Sequence, residues 1–312
     1  MTVTLRHILQ ARLRLRPYLA TTPLEPAPAL GPHVWLKLEQ VNPTHSFKIR
    51  GALNAVLSLD DAARQRGIVA ASSGNHAQAV AYAASLFGLS ARIVMPAHTP
   101  RRKVEGTQRL GAEAVLYGDH YDYAERHARE LEAQEGRTFV SPYNDPQVIA
   151  GAGTIGLEIL EQNPAIERVV VPTSGGGLLA GVALAVRSVA PQAEVIGVNA
   201  VTSPAMYNAF YGTTLLQVKE TLAEALSGEI EGDLTIRLCR QTVARIVLVS
   251  EEEIAGAMRW LLREQGWLVE GGGAVGVAAL MTGQVPLDEK PTAVVLTGSN
   301  IDYTTLQGLL KS

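Results

Sequence analysis

The sequence predicts an α/β protein with two lobes, each built on a mostly parallel open sheet covered by helices. Apolar segments with strand character alternate with helical segments along almost the whole chain, which is typical of parallel sheets. The chain has 312 residues, of which 47% are hydrophobic and 18% charged, so it can bury more than one core. No repeat, low-complexity tract or linker interrupts the pattern.

The N-terminal part predicts a helix, a turn-rich lead-in, a strand and a second helix. Residues 1–19 contain four arginines between apolar positions, which indicates an amphipathic helix and not a secretory signal. Residues 16–24 are rich in turn formers, and residues 34–39 (V-W-L-K-L-E) form a strand pattern. A helix with apolar residues at three-to-four spacing begins near Lys48, and we expect Ser46 to cap it.

The remaining chain continues the alternation. Strand patterns at 68–71, 91–95 and 113–117 and helices ending near 88, 110 and 135 predict a compact lobe. Further strands are predicted at 168–171, 194–198, 245–249 and 292–296, with helices near 151–162, 177–190, 251–265 and 274–283. We therefore predict a large domain of residues 1–57 and 144–312 and a small domain of residues 58–143.

Composition excludes several functional classes. The net charge of -3 and the pI near 6.2 provide no basic stripe for nucleic acid. No window of apolar residues is long enough to span a bilayer. The single cysteine, Cys239, cannot form an internal disulfide and has no nucleophile context. We expect a cytoplasmic protein.

Lys48 is the lysine whose setting favours an uncharged amine. It lies in the first turn of a predicted helix, where the positive end of the helix dipole and partial desolvation disfavour the ammonium form. A deprotonated amine is a nucleophile for an aldehyde, as a Schiff-base lysine must be. Considered alone, a solvated lysine at a helix start is the simpler interpretation. We interpret the other lysines as solvated: Lys37, Lys103, Lys219, Lys290 and Lys311.

Two glycine clusters fit the G-x-G-x-x-G pattern of dinucleotide sites, at 151–156 and 271–276. The residues before the first cluster do not form a strand pattern, and no acidic residue near position 171 could bind a ribose. The second cluster leads into an alanine-rich helix, which favours close helix packing. A nicotinamide-dependent oxidoreductase is therefore the weaker alternative.

A third glycine cluster, at residues 174–178 (S-G-G-G-L), predicts a phosphate site. It joins a buried strand pattern at 168–172 to a helix, and bare backbone amides at a helix N-terminus bind phosphate. No lysine follows the glycines as it does in the P-loop of nucleoside triphosphate-binding proteins, so a phosphate monoester fits this turn better than a nucleoside triphosphate. A tight turn without a ligand is the alternative interpretation.

Two further polar segments follow predicted strands. Residues 72–76 (S-S-G-N-H) form a strand-to-helix corner whose amide groups suit a carboxylate. His76 alone is more typical of a structural histidine than of a catalyst. Thr297 follows the last strand, at the edge where α/β proteins collect ligands.

Together these segments resemble the fold type II pyridoxal-phosphate enzymes, which are similar to tryptophan synthase β, and within them the serine/threonine dehydratases and serine racemases. The matching motifs are S-F-K-I-R-G-A at 46–52, S-S-G-N-H at 72–76, I-A-G-x-G-T-I-G-L-E at 149–158, S-G-G-G-L at 174–178 and T-G-S-N-I-D at 297–302. They occur in the family's order and spacing over nearly the whole chain. The resemblance implies that the large domain binds the cofactor and the small domain closes on the substrate.

The resemblance also implies roles for individual residues. Lys48 would form the Schiff base and act as the base for the α-proton, and Ser73 would serve as the acid/base on the second face. Thr297 would face the pyridine nitrogen, where a hydroxyl does not force protonation and so favours elimination over transamination. Pyridoxal 5'-phosphate would be held by Phe47, Lys48, Asn75, Ser174, Gly175, Gly176, Gly177, Leu178 and Thr297. The substrate would be bound by Ser72, Ser73, Gly74, Asn75 and His76.

The implied reaction is dehydration and deamination of a small 3-hydroxy amino acid, such as L-threonine or L-serine, to a 2-oxo acid and ammonia. An amino-acid racemase, a dehydratase of a hydroxyectoine-derived or other non-standard hydroxy amino acid, and a non-catalytic binding protein are alternatives. We expect a homodimer or homotetramer with a small amino-acid substrate and no nucleic-acid or membrane partner.

The sequence departs from this family in three places. Asn199 and Ala205 stand where relatives commonly carry a glutamate and an aspartate that bind a divalent cation, so we expect no metal site. Acidic residues that could substitute are not placed there by any pattern: Glu229, Glu231 and Asp233. Tyr143 stands where relatives often have Phe or Asn near the cofactor. The chain ends without the C-terminal effector domain of the biosynthetic threonine dehydratases.

Overall fold

The computed structural model describes residues 2–218, 221–228, 230 and 233–311. The strands are β1 Leu24–Pro26, β2 Val34–Leu38, β3 Ile68–Ala71, β4 Ala91–Met95, β5 Glu113–Leu116, β6 Thr138–Phe139, β7 Arg168–Pro172, β8 Glu194–Ala200, β9 Arg245–Val249 and β10 Thr292–Leu296. The helices are α1 Leu5–Leu15, α2 Lys48–Leu57, α3 Asp61–Arg66, α4 Asn75–Ser85, α5 Arg101–Arg109, α6 Tyr121–Glu135, α7 Pro146–Gln162, α8 Gly177–Val189, α9 Ala205–Tyr211, α10 Leu234–Thr242, α11 Glu251–Gln265, α12 Gly271–Met281 and α13 Tyr303–Lys311.

The strands form two sheets. The six-stranded sheet has the order β1-β2-β10-β7-β8-β9; its β1–β2 pair is antiparallel, and its other four strand pairs are parallel. The four-stranded sheet has the order β5-β4-β3-β6 and is parallel throughout. The predicted α/β class with two mostly parallel sheets is confirmed. The domain boundaries after residues 57 and 143 stay a prediction.

Runs of β-branched residues account for the central strands. Every residue of β7 and β10 is buried, as expected for parallel strands covered by helices on both faces. On one face of the six-stranded sheet, α7, α8 and α1 enclose one core, and α12 and α11 enclose a second core on the other face. Helix α2 packs against both α7 and α4, so it connects the two lobes.

The first G-x-G-x-x-G run lies inside α7 and not at a strand–helix turn, which rules out a dinucleotide site at this position. Its glycines allow close contact between helices, because a Cβ on Gly151 would lie 2.4 Å from the carbonyl oxygen of Arg50. Helix α7 begins at Pro146, five residues before the predicted start, after Asp145 accepts hydrogen bonds from the amides of Gln147 and Val148.

Three sequence-based expectations are wrong in detail. Ser46 does not cap α2, because its buried hydroxyl makes no hydrogen bond within the described residues. The glycines at 271–273 form the first turn of α12 and do not precede it. The short strands β1 and β6 were not predicted, and β1 begins at Leu24, within the segment assigned to turns.

The interpretation of Lys37 as a solvated lysine is also wrong. Its side chain is fully buried, and its Nζ donates to Glu158 Oε2 at 2.7 Å. Burial lowers the pKa of Lys37, although the charge of Glu158 opposes the shift. Lys290 and Lys311 are exposed at the surface as expected, Lys103 is partly exposed, and Lys219 lies outside the described residues.

A buried ion network surrounds this lysine and includes Arg50, which is two residues after Lys48 on α2. Arg50 is 1% exposed and donates to Glu39 at 2.7 and 2.8 Å and to Glu158 at 2.8 Å through each terminal nitrogen. Burial alone would lower the pKa of Arg50, but the two carboxylates raise it above its ordinary value. Arg12 adds a third cation at 2.7 Å from Glu158.

Candidate active site

A cleft of about 970 Å³ lies where strands of both sheets end. Parallel strands present their carboxyl ends at one edge of a sheet, and the turns after β3, β7 and β10 line this cleft together with the start of α2. The structure thus brings together all the residues that the resemblance assigns to the cofactor and the substrate: Phe47, Lys48, Ser72, Ser73, Gly74, Asn75, His76, Ser174, Gly175, Gly176, Gly177, Leu178 and Thr297.

Lys48 is the first residue of α2 and points into the cleft. Its Nζ donates to the carbonyl oxygen of Pro142 at 2.8 Å and lies 5.2 Å from the ring centroid of Phe47. Burial lowers the pKa of Lys48 to about 8, and the nearby carboxyl group of Glu270 opposes the shift. The amine can therefore lose its proton close to neutral pH, as a nucleophile and base requires.

The glycines at 175–177 expose backbone amides because no side chain fits there. A Cβ on Gly175 would lie 2.5 Å from Cγ of Tyr143, and one on Gly177 would lie 2.7 Å from the carbonyl oxygen of Tyr143. Gly176 has a φ of 87°, in the left-handed region that favours glycine. The turn leads from β7 directly into α8, so the amides and the helix N-terminus face the cleft as an anion site.

The turn at 72–76 places a second helix N-terminus at the cleft. Asn75 begins α4, and the Ser72 hydroxyl accepts a hydrogen bond from the amide of Gly74 at 3.2 Å. His76 is buried, and its Nε2 donates to the carbonyl of Val140 at 2.8 Å. Burial and the charge of Lys48 lower the pKa of His76 to about 3, so the ring is neutral. These contacts favour a structural ring and leave the backbone of the turn to bind a carboxylate.

Ser73 and Thr297 both line the cleft. The side chain of Ser73 makes no hydrogen bond within the part of the chain that the structure describes, so its hydroxyl is available to a ligand. Thr297 directly follows β10, and its carbonyl accepts a hydrogen bond from the amide of Phe47 at 2.9 Å. This bond ties the end of the strand to the residue before Lys48.

Sequence reasoning missed Glu270, which lies at the start of α12 in the same cleft. Its side chain is buried, and Oε1 accepts a hydrogen bond from Asn75 Nδ2 at 2.7 Å. Asn75 Oδ1 in turn accepts from Asn300 Nδ2 at 2.7 Å. Burial raises the pKa of Glu270 to about 7, although the bond from Asn75 opposes the shift. A carboxylate directly before three glycines at a helix start was the signal available in the sequence.

Asn199 is buried on β8, and among the described residues its side chain bonds to backbone groups of Thr173, Ser203 and Tyr207 and to no carboxylate. Among the described residues, no group of three or more His, Cys, Asp or Glu side chains could hold a metal ion. Asp233 is the residue before α10, whereas Glu229 and Glu231 lie outside the described residues. The absence of a metal site stays a prediction.

The donor set fits pyridoxal phosphate. A turn that only glycine can form supplies amides for a phosphate, a partly buried amine with a lowered pKa suits an aldehyde, and a hydroxyl stands at the end of the neighbouring strand. The fold and this site define an α/β enzyme for a phosphorylated aldehyde cofactor.

Comparison with known proteins identifies the family. Residues 15–298 match the family described as pyridoxal-phosphate dependent enzyme, so the chain belongs to that family, and its cofactor is pyridoxal 5'-phosphate. The chain is 43% identical to the L-threonine ammonia-lyase of Thermotoga maritima, over 99% of this chain and 80% of that protein. It is 41% identical to the catabolic L-threonine dehydratase TdcB of Escherichia coli K12, over 87% of this chain and 84% of that protein.

Solved structures agree with this assignment. The structure of maize serine racemase superposes with a TM-score of 0.92 at 30% identity, covering 100% of this chain and 98% of that chain. The resemblance to the fold type II enzymes, inferred from motifs, is thereby confirmed.

In the part of the chain that the structure describes, no helix is long and apolar enough to cross a membrane.

Proposed function

We propose that this protein is a pyridoxal-phosphate dependent ammonia-lyase that converts a small 3-hydroxy amino acid, such as L-threonine or L-serine, to a 2-oxo acid and ammonia by dehydration and deamination. The observation that carries the proposal is the position of Lys48, whose partly buried amine shares one cleft with the glycine turn at 174–178. Similarity over nearly the full chain to L-threonine ammonia-lyases supports this substrate class.

The residues of the cleft divide the work of binding. The amides of Gly175, Gly176 and Gly177, with Ser174 and Leu178, would hold the phosphate of the cofactor. Phe47 would pack against the pyridine ring, Asn75 would bind the ring hydroxyl group, and Thr297 would face the ring nitrogen. The backbone of residues 72–76 and the N-terminus of α4 bind the substrate carboxylate, because both present amide donors. These contacts orient the α-proton of the substrate for removal.

Lys48 is the base in this proposal. When bound, the cofactor supplies an electron-withdrawing ring that stabilises negative charge at the substrate α-carbon. The neutral Lys48 amine would take the α-proton, and the C–O bond at the β-carbon would break as the hydroxyl group gains a proton and leaves as water, so that the two proton transfers balance. The released enamine takes up water and loses ammonia, which leaves the 2-oxo acid. The cleft walls, including Tyr143, limit water around the amine and keep its pKa low.

A racemase is the second candidate, and the Ser73 hydroxyl is the observation that favours it. Ser73 lines the same cleft as Lys48 and is free of other hydrogen bonds within the described residues. Two proton-transfer groups on opposite faces of the substrate would exchange its configuration. Incubation with L-serine and L-threonine, with separate measurement of 2-oxo acid and D-isomer, distinguishes the two activities.

The test of the cofactor linkage is the visible spectrum of the purified protein before and after borohydride. We expect an absorbance band that borohydride removes, and we expect Lys48→Ala to lack this band and to lose turnover while its far-UV circular dichroism stays unchanged. Lys103→Ala is the matched control, since Lys103 lines the same cleft but pairs with Glu224 at 3.2 Å. Substantial turnover by Lys48→Ala would show that another residue carries the cofactor.

The assembly and location are also proposals. We propose a cytoplasmic homodimer or homotetramer in which residues 58–143 form a lobe that closes on the substrate. Light scattering after size-exclusion chromatography measures the number of subunits. Limited proteolysis with and without substrate tests whether cleavage in residues 58–143 slows when the lobe closes.

A further inference from the structure

Asn199 is a fully buried amide on β8 with all of its strong hydrogen-bonding groups engaged. Its Nδ2 donates to the carbonyl oxygens of Thr173 at 2.7 Å and Ser203 at 2.9 Å. Its Oδ1 accepts from the backbone amide of Tyr207 at 3.0 Å. Because two partners are carbonyls and the third is an N–H group, the orientation of the amide is fixed by its surroundings.

These three partners belong to segments that contact or precede the glycine turn at 174–178, the proposed phosphate site. Thr173 is the residue between β7 and Ser174, so its carbonyl sets the direction in which the turn leaves the sheet. Tyr207 lies in the first turn of α9, next to Met206. Met206 is buried directly against the turn, since a Cβ on Gly176 would lie 2.2 Å from its Cε atom.

We propose that Asn199 is a positioning residue for the cofactor phosphate, which fixes the turn at 174–178 by bridging Thr173, Ser203 and Tyr207 without a charge. The bridge acts on both sides of the turn, on the strand end through Thr173 and on the wall formed by Met206 through Tyr207. This inference rests on the proposed use of the turn as the phosphate site.

The three hydrogen bonds of Asn199 require a carboxamide side chain, because two of its partners are acceptors and one is a donor. Replacing Nδ2 by an oxygen, as in Asn199→Asp, places a third oxygen against two carbonyl oxygens with no proton between them. Replacing the side chain by a shorter one, as in Asn199→Ser, leaves at least one buried carbonyl without a donor. Both changes destabilise the observed conformation of the turn at 174–178, because a buried acceptor without a hydrogen-bond donor costs free energy. The backbone amides of this turn, which are proposed to bind the phosphate, then lose their preorganised positions.

The test measures cofactor binding and not turnover. Apo-protein is prepared for the wild type, Asn199→Asp, Asn199→Ser and the control Asn208→Asp. Asn208 lies on α9 as well, but its amide bonds only to the loop at Thr213 and Leu215. The dissociation constant for pyridoxal phosphate, the ³¹P NMR shift of its bound phosphate and the thermal midpoint of each apo-protein are recorded.

We expect both Asn199 variants to bind pyridoxal phosphate at least about tenfold more weakly than the wild type, with a changed ³¹P shift. The Asn208→Asp control should match the wild type. A buried charge can prevent folding, so Asn199→Ser decides the result if Asn199→Asp is unfolded. An unchanged dissociation constant and ³¹P shift in Asn199→Ser, with only the apo midpoint lowered, would overturn the inference. Failure of the wild type to bind would instead refute the proposed function.

Discussion

Replacing Arg50 by methionine is expected to destabilise the protein strongly. The substitution keeps an unbranched apolar stem and removes the guanidinium group, which bonds to Glu39 and Glu158 in a fully buried site. Glu158 retains Lys37 and Arg12 as partners at 2.7 Å, but Glu39 keeps only the neutral donors Thr22 and Asn42. Breaking a buried pair in this way costs about 3–5 kcal/mol.

Urea unfolding of the apo-protein measures this loss. The control is Arg92→Met, because Arg92 forms a partly exposed ion pair with Glu113 at 2.7 Å. Pairs of this kind contribute about 0–1 kcal/mol, so the control should differ little from the wild type. If Arg50→Met costs no more than Arg92→Met, the buried network does not stabilise the fold and the reasoning is refuted.

The same network predicts how stability depends on pH. Although burial alone would raise it, the pKa of Glu158 is lowered from its ordinary value of 4.5 to about 2 by Arg50 and Lys37. A lowered carboxyl pKa contributes stability that is fully present above pH 4.5 and is lost as the pH falls towards 2. The shift corresponds to about 3 kcal/mol. Urea midpoints measured across this range should fall less steeply in Arg50→Met than in the wild type.

Three further predictions concern the cleft. Ser73→Ala should suppress formation of D-isomer more than formation of 2-oxo acid, because elimination needs proton removal from one face of the substrate only. Both products are measured on the same sample, and equal losses of the two activities would assign Ser73 to carboxylate binding. Glu270→Gln should remove the limb near pH 7 from the pH profile of kcat/KM, because burial raises the pKa of the Glu270 carboxyl to about 7. A profile identical to that of the wild type would show that the titration of Glu270 does not affect the reaction. Turnover should be indifferent to chelators, because Asn199 supplies no charge to a cation, and a loss restored by magnesium would contradict this.

The parts of the fold that the sequence predicts best are those with a strong local signal. The strands β7, β8 and β10 were predicted because runs of Val and Ile reflect burial on both faces, and the glycine turn at 174–178 was predicted from its position between such a strand and a helix. By contrast, β6 has two residues and β1 three, too few for a period to be visible.

The residues that sequence reasoning misread depend on partners far away in the chain. Lys37 appeared solvated because its carboxylate, Glu158, lies 121 positions further on. Glu270 passed unnoticed because its partner Asn75 lies 195 positions earlier. A charged residue in a strand or before a helix has the same local appearance whether it is exposed or paired in a core. Only the topology, which brings these segments together, decides between the two.

The Asn75–Glu270 hydrogen bond joins the two lobes inside the cleft, since α4 packs on the four-stranded sheet and α12 on the six-stranded one. Any separation of the lobes must break this bond and admit water to Glu270, which lowers the pKa of its carboxyl group towards the ordinary range. The resulting negative charge near Lys48 favours the ammonium form, and hydration of the amine acts in the same direction. In the proposed mechanism, closure of the cleft therefore favours the neutral Lys48 amine, so a substrate that holds the lobes together would also prepare the base that removes its α-proton.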